Sequence, residues 1–202
     1  DGTIQTGIAC GARADAVFEM VFHTSMTGYQ EILTDPSYRG QGVVFTQPHI
    51  GNVGINPDDH ESGRAQVAAM IVRSLSPCVS NWRSRRDLDS WLSEQGVPGI
   101  TGVDTRRLTR GLREQGTMKA ALSTTGTDPV KLLRECRAWA GLDGIDMVRW
   151  VTCDAPYAFP AGLRGTDGTA ISVSEPAGSA PVSDQGALSW VQRAREAFGD
   201  GD

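Results

Sequence analysis

Short apolar runs separated by glycine-rich turns mark the first half of the chain. Residues 16–22 (AVFEMVF) carry one charge, Glu19, and predict a strand buried over most of both faces. Residues 42–46 (GVVFT) and 66–72 (QVAAMIV) are similar runs and predict two further strands. Between these runs, residues 48–62 are rich in Gly, Asn, Pro and Asp. We expect a long loop there, and a long loop in a compact domain often carries function or an interface.

A helical pattern opens the second half of the chain, at residues 84–95. Leu88, Trp91 and Leu92 fall on one face of this predicted helix, which is the spacing of a helix packed on a core. Ser84, which an acidic residue follows three positions later, is the predicted N-cap. We therefore expect the helix to begin directly after residue 84.

Strand and helix patterns then alternate along the chain. Residues 98–103 and 118–123 predict strands, and Asp104 begins a helical pattern (DTRRLTRGLREQ) between them. Asp128, which is followed by proline, signals the start of another helix. Strands joined by such helices predict an α/β domain in which at least part of the sheet is parallel.

The pattern changes in the last quarter of the chain. Residues 160–187 combine many Pro, Gly and Ser residues with little hydrophobic periodicity, which predicts a linker or an irregular surface segment. Residues 188–198 predict one short helix with no following element to pack on, and the chain starts at Asp1 rather than at a methionine. We therefore expect a piece of a longer protein, with one domain over residues 1–151 and a linker over residues 152–202.

Composition and charge exclude several classes of protein. The chain has 24 acidic and 19 basic residues, so nucleic acid is not an expected partner, because phosphate binding favours basic surfaces. No apolar run approaches the roughly 18 to 20 residues that cross a bilayer, and the N-terminus lacks a signal-peptide pattern, so we expect no membrane association. The cysteines lack the spacing of a disulfide framework or a zinc site, which favours reduced, mostly structural thiols in the cytoplasm. They are Cys10, Cys78, Cys136 and Cys153.

No local motif by itself defines an active site. Ser25 lacks the Gly-x-Ser-x-Gly frame of a serine hydrolase, so a turn serine is the favoured interpretation. Asp58 and Asp59 could bind a metal, but they lack calcium-loop spacing, and solvated loop acids are favoured. Four arginines on one predicted helix indicate a solvated face, with a contact surface for an acidic partner as the alternative. They are Arg106, Arg107, Arg110 and Arg113.

Residues 24–38 (TSMTGYQEILTDPSY) predict a loop, a helical turn and a second loop directly after a buried strand. Such a position can hold hydroxyl groups and backbone N–H groups rigidly toward a cleft. Within it, Ser37 either satisfies its own turn or contacts a ligand. The residues alone predict a binding surface and leave this choice open.

This segment and three later ones resemble successive stretches of the small subunit of glutamine-dependent carbamoyl-phosphate synthase. The later stretches are TQPHIGNVGINPDD, SNWRS and GITGVDTRRLTRGLREQGTM, and the resemblance covers roughly residues 1–158. It implies a swivelling β/β/α-type domain with a mixed sheet, which contacts the large synthetase subunit and packs on a C-terminal class I glutaminase domain. It also implies a role in making carbamoyl phosphate from bicarbonate, ATP and glutamine-derived ammonia, for pyrimidine and arginine biosynthesis.

The resemblance assigns one substrate contact, from Ser37 in the Asp-Pro-Ser-Tyr motif to L-glutamine. None of the four cysteines lies in the Gly-x-Cys-x-Gly frame of the family's nucleophile, so we expect the isolated chain to be inactive as a glutaminase. No cofactor or metal is expected in this chain, and ATP and Mg²⁺ would bind in the large subunit. The alternative is a catalytically silent docking or regulatory module of the synthetase. An unrelated small enzyme is less favoured, because no nucleophile–base or metal constellation is present.

Overall fold

The computed structural model describes residues 2–153 and the backbone of two short strands at residues 163–164 and 170–171. Contacts divide the chain into two units, Asp1–Thr152 and Cys153–Asp202. The first unit is a mixed α/β domain with a curled sheet, so the predicted α/β class with a mixed sheet is confirmed. The proposed limits of the two domains, at residues 151 and 152, stay a prediction.

The first unit is organised around a six-stranded sheet of order β1-β7-β5-β3-β2-β8. The four inner strands run parallel to one another, and the two edge strands, β1 and β8, are antiparallel to their neighbours. The short strands β4 and β6 form a separate parallel pair. In chain order the strands are β1 (Ile8–Gly11), β2 (Asp15–His23), β3 (Gln41–Phe45), β4 (His49–Ile50), β5 (Ala69–Ile71), β6 (Ser74–Leu75), β7 (Pro98–Thr101) and β8 (Met118–Ser123).

Most helices begin at an aspartate whose side chain accepts a backbone N–H, as N-caps do. Asp104 accepts from the N–H of Arg107, and Asp128 accepts from the N–H of Val130, so both predicted helix starts are confirmed. In chain order the helices are α1 (Tyr29–Thr34), α2 (Leu88–Glu94), α3 (Thr105–Gln115), α4 (Pro129–Ala138) and α5 (Val148–Val151), and one turn of 3₁₀ helix covers Pro36–Tyr38.

The predicted start of α2 is wrong. Asp87, rather than Ser84, caps the helix by accepting from the N–H of Ser90. The cause is a tertiary contact, because the chain at Arg85 and Arg86 is held extended by two backbone hydrogen bonds to Ile55. The helix can begin only after that extended segment ends.

The sheet separates two hydrophobic cores, because alternate residues of a strand point to opposite faces. Val43, Phe45 and Met70 belong to one core, which α1 and α2 cover with Leu33 and Leu92 as fully buried members. The second core lies on the opposite face. Its buried members are Phe18, Met20, Val44, Ala69, Ile71, Val103, Leu112 and Leu122.

The observed strands differ from the predicted ones in two places, and backbone pairing explains both. The strand β1 was not predicted, since its short and partly exposed sequence is ordered by pairing with β7. The predicted strand at residues 66–72 is shorter, at Ala69–Ile71, although neighbouring N–H groups of Gln66 and Val72 still bond to carbonyls of other segments.

The second unit is described only by its backbone at two strands. Leu163–Arg164 and Ala170–Ile171 form an antiparallel pair within the segment for which a linker was predicted. The rest of residues 160–187, and the helix predicted at residues 188–198, lie outside the described residues.

Candidate functional site

The segment that the sequence marks as a binding surface connects the parallel strands β2 and β3. Its helix, α1, begins after Gly28, whose φ of 79° lies in the left-handed region that glycine adopts without strain. Tyr29, the first residue of α1, is buried and donates its hydroxyl to the carbonyl of Gly54 at 2.7 Å. This bond connects the start of the helix to the predicted loop at residues 48–62.

Gln30 makes three contacts between α1 and that loop. Its Nε2 donates to the carbonyl of Asn56 at 2.5 Å, and its Oε1 accepts from the N–H of Asn56 at 2.9 Å. Nε2 also lies 2.9 Å from Nδ1 of His60. Gln30 and Asn56 are both buried out of contact with water, so these hydrogen bonds satisfy polar groups that water cannot reach.

Thr34 fastens the other end of α1. Its hydroxyl donates to the carbonyl of Gln30 at 2.8 Å and accepts from the N–H of Glu61 at 2.9 Å. The hydroxyl of Ser62 donates to the carbonyl of Thr34 at 2.6 Å. Both ends of a six-residue helix are therefore bonded to one loop, which holds the following turn in a fixed position.

The acidic residues of the loop have a structural partner. Asp59 accepts from Asn56 Nδ2 at 2.7 Å and pairs with Arg83 at 2.5 Å, while Asp58 is largely exposed and lies 3.8 Å from the same arginine. Burial by itself would raise the pKa of Asp59, but the hydrogen bonds from Asn56 and Arg83 and the charge of Arg83 lower it below its usual value. The interpretation of both acids as solvated loop residues is therefore correct for Asp58 only.

The turn that carries Ser37 is capped by its neighbour. Asp35 Oδ1 accepts from the N–H of Ser37 at 2.8 Å, and the carbonyl of Asp35 accepts from the N–H of Tyr38 at 3.1 Å. Pro36 occupies the first position of the turn, where its missing N–H costs nothing. Ser37 is exposed, and its hydroxyl has no hydrogen-bond partner within residues 2–153. The side chain is therefore not needed to close its own turn.

Aromatic and charged side chains lie at or next to the turn. The rings of Tyr38 and His23 meet edge to face with centroids 6.1 Å apart, and burial raises the pKa of Tyr38 and lowers the pKa of His23. Burial, followed by the positive charge of Arg64, lowers the pKa of Arg39. The turn thus combines a hydroxyl that can donate and accept with charged neighbours of both signs, Asp35 and Arg39.

The predicted arginine cluster borders two cavities, and Arg106, Arg107 and Arg110 line the larger one, of about 1100 Å³. Arg106, Arg110 and Arg113 line a cavity of about 370 Å³, whereas Arg107 lies outside it. All four side chains are exposed. This cavity lies apart from the turn of Ser37, because α3 packs on the opposite face of the sheet from α1.

Some of the remaining candidates have ordinary structural roles. The backbone N–H of Ser25 donates to Nδ1 of His23 at 3.1 Å, which fits a turn serine. Cys10 and Cys136 are buried, while Cys78 and Cys153 are exposed, so a structural role fits two of the four thiols.

Within the described part of the chain, no three His, Cys, Asp or Glu side chains converge as metal ligands do. In the same part, every helix is too short or too polar to span a bilayer.

Sequence reasoning missed the hydrogen-bond network of Tyr29, Gln30 and Thr34. A helical polar residue gives no local signal of a partner that lies 26 residues further along the chain, as Asn56 does for Gln30. The one available indication was that both residues lie in the two stretches that carry the family resemblance. Those stretches, and SNWRS with Arg83, are brought together in one bonded group.

The fold and the turn together define an α/β domain with a mixed sheet, in which a rigidly held serine turn connects two parallel strands. Comparison with known proteins identifies the class further. The family model of the carbamoyl-phosphate synthase small chain, CPSase domain, matches residues 1–122. The chain therefore belongs to the carbamoyl-phosphate synthase small-chain family.

Three relatives, each named a carbamoyl phosphate synthase small chain, support this assignment. The protein of Parasynechococcus marenigrum is 46% identical over 164 residues, which cover 81% of this chain and 43% of the relative. A Synechococcus protein is 48% identical over 157 residues (78% of this chain, 40% of the relative). The chloroplastic protein of rice is 50% identical over 159 residues, which cover 78% of this chain and 35% of the relative. The chain thus spans about two fifths of the length of these relatives.

Proposed function

We propose that this chain is the N-terminal domain of the glutamine amidotransferase subunit of a carbamoyl-phosphate synthase. In this function the whole subunit releases ammonia from glutamine, and a large subunit that binds ATP and Mg²⁺ uses the ammonia to make carbamoyl phosphate. The product would enter pyrimidine and arginine biosynthesis in the cytoplasm. Membership of the small-chain family supports the proposal.

The role proposed for this chain is to form one wall of the glutamine site. The single observation that carries it is the exposed Ser37 hydroxyl, which is free of bonds within residues 2–153 because Asp35 caps the turn. A hydroxyl held in this way can donate to a carboxylate or accept from an ammonium group of an amino acid. Arg39, two residues after Ser37, is a cation that can pair with that carboxylate.

Rigidity of the turn supports the same role. The bonds of Tyr29, Gln30 and Thr34 to the loop fix α1, and the turn follows α1 directly. A binding group that is already in place loses little conformational entropy when the ligand arrives. The chemical step itself needs a thiolate nucleophile and a base, which we assign to a glutaminase domain outside this chain.

The test compares Ser37→Ala with Ser25→Ala in the full small subunit assembled with its large subunit. Ser25 is a matched control, because it is an exposed serine of the same segment. Loss of one hydrogen bond to a charged group costs about 1.5–3 kcal/mol, so Ser37→Ala should raise KM for glutamine roughly 10- to 100-fold. Ser25→Ala should leave KM within about 2-fold, since surface substitutions have small effects.

Two further measurements separate the assignment of Ser37 from the function of the whole protein. Carbamoyl phosphate synthesis from added ammonium should be equal in both variants, because ammonia bypasses the glutamine site. An unchanged KM for glutamine in Ser37→Ala would remove Ser37 from the site. Release of ammonia from glutamine at an enzymatic rate by the isolated chain would contradict the proposed division of labour.

A further inference from the structure

The segment that closes the first unit, residues 141–152, carries two half-buried side chains that the fold has not yet explained. We call these residues the exit segment. Leu142 and Met147 are half-buried, whereas the four residues between them are exposed. Neither side chain belongs to the two cores that the sheet separates. Their burial therefore comes from a contact outside those cores.

That contact is made with Gly40, which lies two residues after the serine turn (Pro36–Tyr38) and directly before β3. A Cβ at residue 40 would lie 3.0 Å from Cδ2 of Leu142 and 3.4 Å from Cε of Met147, so both side chains pack closely against the Cα of Gly40. The φ of Gly40 is 79°, in the left-handed region that favours glycine. The exit segment is therefore packed directly against the chain that leaves the serine turn.

Local hydrogen bonds fold the exit segment so that its two half-buried side chains face the same residue. The N–H of Ile145 donates to the carbonyl of Leu142 at 3.2 Å, which closes a turn, and Gly144 within this turn has a φ of 75°. Asp146 Oδ1 then accepts from the N–H of Arg149 at 3.2 Å, in the first turn of α5. The two turns together bring both side chains to one side of the segment.

The exit segment also ends close to the serine turn. Arg64 Nη2 donates to the carbonyl of Trp150 at 3.4 Å, two residues before the first unit ends at Thr152. Burial, followed by the charge of Arg64, lowers the pKa of Arg39, so Arg64 lies near the residue that directly follows the turn. The chain therefore leaves the first unit near the turn that carries Ser37.

We propose that Leu142 and Met147 are positioning residues for glutamine binding, because they hold the serine turn in place relative to the point at which the chain leaves the first unit. This inference rests on the function proposed above, in which Ser37 forms one wall of the glutamine site. The bonds of α1 to the loop fix the chain before the turn, and the exit segment fixes the chain after it. Such support matters because a misplacement of about 1 Å can cost a large factor in rate. Both residues act through Gly40 and do not touch the substrate.

The experiment measures carbamoyl phosphate synthesis from glutamine and from added ammonium by the full small subunit assembled with its large subunit. Leu142→Ala should raise KM for glutamine about 3- to 30-fold and leave the rate with ammonium unchanged, because ammonia bypasses the glutamine site. Ile145→Ala is the matched control, since isoleucine is an isomer of leucine and this side chain is exposed in the same segment. Its KM should stay within about 2-fold of the wild type.

Further variants test whether Leu142 acts through the serine turn. Leu142→Met nearly keeps the side-chain volume, so its KM should stay within about 3-fold of the wild type. In the double variant with Ser37→Ala, Leu142→Ala should change KM by less than about 2-fold, since the hydroxyl that it positions is already gone. A residue that only stabilises the fold would not show this dependence. Met147→Ala should also raise KM, and it replaces Leu142→Ala if that variant folds poorly.

Each other outcome has a distinct meaning. An unchanged KM in Leu142→Ala and Met147→Ala, with a raised KM in Ser37→Ala, overturns this inference and leaves the proposed function intact. Independent increases that multiply in the double variant overturn it as well. An equal loss of the ammonium-dependent rate assigns Leu142 to stability alone and also overturns it. An unchanged KM in Ser37→Ala removes Ser37 from the glutamine site, and this inference with it.

Discussion

Gln30 and Asn56 are joined by two hydrogen bonds that run in opposite directions between a side-chain amide and a backbone amide. The side chain of Gln30 thereby acts as a strand partner for one residue of the loop. Both residues are about 3% exposed, so water cannot replace either bond. This pair connects the helix before the serine turn to the loop that supports it.

Replacement of Gln30 by alanine should destabilise the domain strongly. The change leaves the N–H and the carbonyl of Asn56 buried without partners, and each unsatisfied group costs about 1–3 kcal/mol. We expect the free energy of unfolding to fall by about 2–4 kcal/mol, measured by urea denaturation. Gln115→Ala, at an exposed position of α3, should cost less than about 0.5 kcal/mol. Equal losses in the two variants would contradict the importance of the pair.

The Asp59–Arg83 pair should make stability depend on acid pH. Because the folded-state pKa of Asp59 is lowered, its stabilising effect is complete above the unfolded pKa of about 3.9 and is lost as pH falls through the folded pKa. The difference in free energy of unfolding between wild type and Asp59→Asn should thus be constant above about pH 5 and shrink below about pH 4. Urea denaturation from pH 7 to pH 3 measures it. The control is Asp58→Asn, because the side chain of Asp58 is largely exposed. Its free energy of unfolding should stay close to that of the wild type from pH 7 to pH 3.

Cys10 should resist alkylation while the domain is folded. Burial, followed by the negative charge of Asp89, raises the pKa of its thiol to about 12, so about one thiol in 10,000 is ionised at pH 8. We expect iodoacetamide to modify Cys10 at least 100-fold more slowly than the exposed Cys78, as followed by mass spectrometry. In Asp89→Asn the rate of alkylation of Cys10 should stay low, because burial is the larger cause of the raised thiol pKa. Rapid labelling of Cys10 in that variant would assign its low reactivity to charge instead.

Two glycine-to-alanine substitutions should have opposite effects on stability. A Cβ added at Gly42 would overlap the ring of Phe18, which is fully buried beside β3, so Gly42→Ala should cost about 1–3 kcal/mol. Gly111 lies within α3 with open space around it, so Gly111→Ala should stabilise the domain by about 0.5–1 kcal/mol. Thermal denaturation of both variants provides the comparison. Destabilisation by both would show that α3 does not tolerate a side chain at residue 111.

Elements with local signals were predictable from the sequence. The helices that begin after Asp104 and Asp128 follow directly from their capping residues, and Met118–Ser123 was predicted with its observed limits. These patterns depend on neighbours within a few residues. Local chemistry was therefore enough to predict much of the second half of the fold.

Features that depend on distant partners were not predictable in the same way. Ile55 holds the chain before α2 extended, which moves the cap from Ser84 to Asp87. Likewise, the cavity that three arginines of α3 share with Thr24 and Thr46 depends on the position of β2 and β3 relative to α3. The sequence predicts which residue types are present, and tertiary contacts decide which of them meet.

The separation of two cores by one sheet has a consequence for how the domain is used. The serine turn and α1 lie on one side of β2 and β3, and α3 with its arginines lies on the other. Two different binding partners can therefore occupy the two sides of the sheet at the same time, because their surfaces do not overlap. Adjacent residues of these strands, such as Val43 and Val44, whose side chains point in opposite directions, connect the two sides.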